Sequence, residues 1–201
     1  MSADHVEPGL KELFNAIAAC RPRAVSFRRV VMRSTAAGYA NAQDLVSGEG
    51  AAAMGGRWNP RGIKAVYASL SPLTAVQEAY HNFLDFGFDP SAIRPRMFVG
   101  AEVELDMVLN LSDQAIRRRL GFTLAELLDE DWQTIQREGD ESWTQATGRG
   151  AYEAGFEALL APSSRHRPDG VNLVVFPDKL RSGSRIEIVG KDDLPGHPPP
   201  P

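Results

Sequence analysis

The sequence has a single cysteine, Cys20, among 201 residues, so no internal disulfide can form. A fold built without disulfides fits a reducing compartment, and a cytoplasmic protein is the expectation. Cys20 closes a helical pattern (Leu10, Leu13, Phe14, Ile17), where a small buried residue is a commoner role than a nucleophile. Histidine is scarce as well. His5, His81, His166 and His197 are scattered without the spacing of zinc ligands, so no metal is expected. Positive charge is in deficit, with a net charge of −4 and no Lys/Arg tract, which argues against a sequence-independent grip on nucleic acid. No apolar run approaches the ~18 residues a membrane helix needs. The opening MSADHVEPGLKE is acidic and polar, unlike a signal peptide. Gly-x-Ser-x-Gly is missing, and so is a dinucleotide-type G-x-G-x-x-G: Gly48-Glu49-Gly50 lacks the third glycine.

What is present fits one globular domain, with 43% hydrophobic and 24% charged residues. Residues 8–20 carry the i, i+3, i+4, i+7 spacing of an amphipathic helix, and 24–32 read as a strand. A polar, Gly-rich connection follows as far as Arg61. Residues 63–69 form a short strand, and Ser71-Pro72 opens a helix over 71–86 with serine as N-cap and proline at the first helical position. Leu73, Val76, Tyr80 and Leu84 make its expected buried stripe. Residues 96–105 and 107–111 read as two strands, 112–120, 123–137 and 141–156 as helices, and 158–161, 171–176 and 185–189 as strands. Short strands mixed with helices, without regular βαβ alternation, give an α+β domain over 24–190 with a twisted mixed or antiparallel sheet. Residues 1–23 form a helical lead-in, and 191–201 a Pro-rich tail expected to be disordered or extended.

The segment Gly50 to Gly62, GAAAMGGRWNPRG, carries the strongest chemical signal. Adjacent Gly55 and Gly56 let a ligand approach the main chain, and a cation (Arg57), a large ring (Trp58) and an amide (Asn59) follow at once. That order suits a flat, anionic ligand. It also suits a loop entering a strand, with Trp58 buried and Arg57 solvated. Arg28 and Arg29 lie inside an apolar run and should point to opposite faces, so one of them is expected at a core or cleft. There it needs a carboxylate or a phosphate. Arg28 is the residue assigned to share a cleft with Arg57. Glu78 sits at the edge of the helical stripe, where it could look into a cleft or lie exposed. Tyr67 ends a strand and could be core. Ser142 could simply cap the next helix. Ser163-Ser164-Arg165-His166-Arg167 is either a phosphate-binding turn at a strand end or a polar loop.

Together these residues resemble the RES-domain family, the toxin half of bacterial Xre–RES toxin–antitoxin pairs. The resemblance runs from about Ala24 to Phe176. It rests on Phe27-Arg28, on Ser47-Gly48-Glu49-Gly50 through Gly55-Gly56-Arg57-Trp58-Asn59-Pro60, on Tyr67 and Glu78, on Ser142 with Gln145 and Gly148, and on the closing runs 156–163 and 172–176. Residues 123–141 look like an insertion, and Arg29 stands where an aromatic is sometimes found. The resemblance implies a fold similar to diphtheria-toxin-type ADP-ribosyltransferases, NAD as substrate, and a helical Xre-type antitoxin that covers the site. On that basis Arg28, Arg57 and Gly56 would hold the pyrophosphate region, and Tyr67 would pack on nicotinamide. Glu78 would stabilise the ribosyl cation, and Ser142 would bond the ribose or the acceptor. The acceptor of ADP-ribose could be a protein side chain, the first expectation, or water or phosphate. Two other classes remain open: a ribonuclease-type or nucleic-acid-binding toxin, and a catalytically silent binding module.

Overall fold

The computed structural model describes residues 9–86 and 96–194, and the side chains of 81–86 lie outside the described set. Among the described residues there are six strands, β1 (Val25–Ala36), β2 (Val66–Ser69), β3 (Arg96–Asn110), β4 (Ala158–Pro162), β5 (Val171–Val175) and β6 (Arg185–Ile188). They pair in the order β1-β2-β5-β4-β3-β6, and β1 also pairs with β3. The first five therefore close a ring, with β6 added outside on β3. Among these six strands β3 and β4 run parallel and the other pairings are antiparallel. The domain is α+β with a mixed sheet, as the irregular alternation of strands and helices implied.

Strand parity builds the two halves of the core. Leu160, Leu173 and Val175 join Phe27, Val31, Val66, Ala68, Val103 and Leu105 in one cluster that draws on all five ring strands. Their neighbours Leu159 and Val174 turn the other way, onto Leu13, Ile17, Leu109, Leu120, Phe156 and Phe176. With both faces covered, β4 reads as an unbroken apolar run, and β5 as one interrupted only by Asn172. The covering helices are α1 (Leu10–Ala19), α5 (Gln114–Leu120) and α8 (Trp143–Glu153). Cys20 is buried beside Leu13 and Ile17, as expected.

Several boundaries differ from the sequence reading, each for a local reason. The strands expected at 96–105 and 107–111 are one strand with a bulge. Phe27 faces Leu105 and Val25 faces Val108, so β3 carries an extra residue around Asp106-Met107. The Asp106 and Met107 N–H groups freed there both donate to Glu157 Oε2 at 2.8 Å. β1 runs on past Met32 to Ala36, and the Gly-rich connection holds two short helices, α2 (Ala42–Ser47) and α3 (Glu49–Met54). The helix expected over 123–137 breaks at Glu130-Asp131 into α6 (Leu124–Asp129) and α7 (Trp132–Glu138), where Asp131 caps the second by accepting from Thr134 N. Helix α4 (Pro72–Phe86) forms where Ser71-Pro72 placed it, but its buried side is not the expected stripe. Thr74 and Ala75 are buried while Leu73 and Val76 are exposed, and Leu84 lies outside the described side chains. The first residues of the expected tail form a 3-10 turn (Lys191–Asp193), and 195–201 lie outside the described residues.

Candidate functional site

One end of the strand ring is where the polar side chains gather. The register sets Met32 against Ser69 and Ser69 against Asn172, with Pro162 ending β4 alongside. α4 packs against β1 and β2 at this end. It brings Glu78 to the ring: Glu78 Oε1 accepts from Ser163 Oγ and from Asn172 Nδ2, both at 2.6 Å. The direction of these bonds is fixed by the next neighbours. Ser163 Oγ already accepts from the N–H groups of Arg165 (3.1 Å) and His166 (2.9 Å), so its proton goes to Glu78. Asn172 Oδ1 accepts from Ser69 Oγ at 2.8 Å, which turns its amide nitrogen toward the carboxylate. A chain from Ser71 through Thr74 Oγ1 to His166 Nδ1 (2.8 and 2.9 Å) ties the start of α4 to the same loop.

Tyr67 pins the Gly-Gly segment. Its hydroxyl donates to Asn59 Oδ1 (2.8 Å) and accepts from Trp58 N (2.9 Å). Burial pushes the phenol's pKa up, only partly offset by the Trp58 N–H bond. Asn59 is fully buried and donates to the carbonyls of Ala51 and Ile63, closing the turn. A Cβ at Gly56 would lie 2.5 Å from the Tyr67 hydroxyl and 2.7 Å from Asn59 Oδ1, so only glycine fits this packed turn.

Three connected cavities run across this surface. The middle one, about 420 Å³, is lined by Gly56, Arg57, Tyr67 and Glu78 together with Arg33, Trp132, Arg165 and Asn172. Beyond Glu78, Tyr67 and Asn172 it continues into a lobe of about 210 Å³ that adds Ser34, Ser69 and Arg96. On the other side, past Arg57 and Trp132, a lobe of about 340 Å³ reaches the α6–α7 junction. Arg57 Nη1 donates to the Leu127 carbonyl at 3.0 Å. Burial lowers its pKa, Glu130 opposes the shift and Arg165 adds to it. Arg33 is held by the carbonyls of Tyr67 (2.8 Å) and Leu45 (3.3 Å). Burial, with Arg96 close by, lowers its pKa to about 10.

The expected partner of Arg57 is thus in the wrong place. Arg28 lies outside the cleft, with its side chain 59% exposed, and pairs with Asp106 at 2.9 Å. Arg29 is exposed too, so neither adjacent arginine enters a core or cleft. The cleft arginine is Arg33, reached because β1 extends four residues past the apolar run. Ser142 also lies away from the cleft. It is buried as the N-cap of α8, accepting from Gln145 N at 3.1 Å in a capping box, and does not line the cavities.

A model of the RES domain matches residues 27–195. The chain belongs to the RES domain family. It is 36% identical over 126 residues to the probable NAD(+) phosphorylase Rv3189 of Mycobacterium tuberculosis (strain ATCC 25618 / H37Rv). That match covers 62% of this chain and 55% of the relative, so the chain spans about half the length of the curated relative it matches. Among solved structures it resembles a chain of the M. tuberculosis MbcT–MbcA toxin–antitoxin complex. The TM-score is 0.70 with 23% identity, over 90% of this chain and 91% of that one, a likeness of fold.

Within this RES domain the structure brings Gly56, Arg57, Tyr67 and Glu78 to one cavity. It adds three lining residues that carried no expected role, Arg33, Asn172 and Trp132, and makes Ser163 a hydrogen-bond donor to Glu78. Ser163 was visible as the start of a turn after an apolar strand, one that read either as phosphate-binding or as a polar loop. Asn172 carried a weak signal, a lone amide inside the apolar run VNLVV. No helix among the described residues is long and apolar enough to cross a membrane, and no group of three or more His, Cys, Asp or Glu is placed to hold a metal.

Proposed function

We propose that this chain degrades NAD by cleaving the nicotinamide–ribosyl bond, and that it is the toxin of a toxin–antitoxin pair. The observation that carries the reading is Glu78, a carboxylate fixed by two donors in a cavity that also presents Arg33, Arg57 and Tyr67. NAD needs such a set. Arginine forks suit its pyrophosphate, and an aromatic wall suits nicotinamide. As the C1″–N1 bond breaks, its electron pair leaves with neutral nicotinamide and positive charge develops on the ribose. A fixed carboxylate stabilises that charge mainly in the transition state. The relative named as a probable NAD(+) phosphorylase supports the same substrate.

For the acceptor, we place phosphate ahead of a protein side chain or water. Arg33 and Arg96 both line the small lobe beside Glu78, and among the described residues neither has a carboxylate in an ion pair. Two such cations suit a small oxyanion. Its oxygen would attack C1″ and yield ADP-ribose-1″-phosphate.

An antitoxin of the Xre type is the proposed partner, covering the cleft. Met54 and Leu73 are 66% and 56% exposed on α3 and α4, the helices that border it. The fold likeness to a toxin–antitoxin chain supports this partner class.

Incubating the purified protein with NAD, with and without phosphate and with lysate protein, tests the reading. Phosphate-dependent release of nicotinamide with ADP-ribose-1″-phosphate is the expected result. Free ADP-ribose or a labelled protein would move the acceptor to water or protein. NAD left intact, with RNA cut instead, would replace the reading altogether.

A further inference from the structure

Trp132 stands on the segment that reads as an insertion, yet it faces the cleft. It is the first residue of α7, half-buried, and lines both the middle cavity and the outer lobe. The segment is tied down from several directions. Arg57 donates to Leu127 O, and Arg167 donates to Leu128 O (3.0 Å) and pairs with Asp129 (2.7 Å). Gln136 donates to Met54 O (3.0 Å) and accepts from Gln145 Nε2 (2.7 Å), which also bonds Gly56 O. The helix that carries Trp132 is thereby fixed to the same Gly-Gly turn that presents Arg57. A large ring is left half-exposed at a cavity wall by this bracing, where a solvated loop would have needed none.

The order of wall residues gives a direction. Glu78 and Tyr67 lie toward the inner lobe; Arg57 and Arg165 line both the middle and outer cavities; Trp132 shares that outer wall. We infer that Trp132 is the stacking platform for the adenine of the dinucleotide, and so the residue that makes this site prefer a dinucleotide to a nicotinamide mononucleotide. The inference rests on the proposed cleavage of NAD and assigns the far end of that substrate. With the ribose of nicotinamide at Glu78 and the pyrophosphate at Arg57, the second base falls at the Trp132 wall. Every nucleobase offers a π-face, so an indole there binds without base-specific hydrogen bonds.

The test compares wild type, Trp132→Ala and Trp132→Phe in two assays: calorimetric binding of ADP and of nicotinamide mononucleotide, and steady-state NAD cleavage. ADP carries the adenine and pyrophosphate without nicotinamide, so its binding reads the subsite even without turnover. Trp132→Ala is expected to weaken ADP binding and raise KM for NAD by about 5- to 150-fold, the range of one base–aromatic stack. Its kcat should stay within about threefold, and mononucleotide binding should shift less than threefold. Trp132→Phe should recover most of the loss, which a misfolded variant could not do. Equal weakening toward ADP and mononucleotide, unchanged ADP binding, or no recovery by phenylalanine overturns the assignment. Wild-type protein that binds ADP through Trp132 but leaves NAD intact keeps the subsite and sinks the proposed reaction.

Discussion

Arg28 and Arg33 are five residues apart on one strand, and their surroundings set their roles apart. Arg28 makes an exposed pair with Asp106, a type of contact worth about 0–1 kcal/mol. Arg33 is half-buried at the cleft with two main-chain acceptors. Arg28→Ala should therefore leave nicotinamide release within about threefold of wild type. Arg33→Ala should raise KM for NAD at least tenfold, the scale of one lost charge-assisted hydrogen bond. Steady-state kinetics on the two variants reads the difference. The sequence held three arginines near one strand and gave no sign of how far the strand ran, so the choice among them was not legible. Glu157 was equally silent, a single charge ahead of an apolar run. It is fully buried, and burial alone would raise its pKa. The nearby Ser184 hydroxyl and bonds from the N–H groups of Arg181, Asp106 and Met107 outweigh that and lower it below its ordinary 4.5. The folded state thus holds its proton less tightly than the unfolded chain. Its stabilising contribution is full above pH ~4.5 and is lost as pH falls through the lower folded value. Glu157→Ala should cost about 3 kcal/mol at neutral pH, with main-chain donors left buried, and should flatten the acid limb of a denaturation profile.

Among the elements, apolar patterning located most helices and strands, because period and caps are local properties. α1, α4 and α5 formed close to where spacing and capping residues put them. What failed were features set by contacts distant in sequence. The bulge at Asp106-Met107 depends on Glu157, fifty residues on, and looked like a gap between two strands. Ser142 carried a capping signal that the structure confirms as its role, while its resemblance to a site residue did not lead to the cleft. α8 also shows why Gly148 belongs to the pattern. A methyl group there would overlap the Trp58 carbonyl, main chain that cannot swing aside. Gly148→Ala should push α8 off the Arg57-Trp58 turn and cost about 3 kcal/mol. In a protein of this size that lowers the melting temperature by about 6–12 °C, measurable by circular dichroism. Activity should fall with it, because Gln145 of the same helix bonds Gly56 O.

At the scale of the whole molecule, the cleft is assembled from β1, β2, β5, α4, the turn after β4 and the α6–α7 segment. Its residues span Arg33 to Asn172 in sequence, and only the Gly-Gly-Arg-Trp-Asn stretch announced itself in one piece. Tyr67 and Glu78 were legible through family resemblance; Arg33, Ser163 and Asn172 needed the ring to close before they could meet. The central claim is that Glu78 in this cleft drives NAD cleavage. The most direct measurement is the rate of nicotinamide release from NAD by wild type and by Glu78→Gln, each shown to be folded by its melting curve. The glutamine keeps the shape and removes the charge, so the rate should fall by about 10²–10³ while NAD binding persists, the loss typical of one electrostatic contact made in the transition state. A Glu78→Gln rate within a few-fold of wild type would contradict the account.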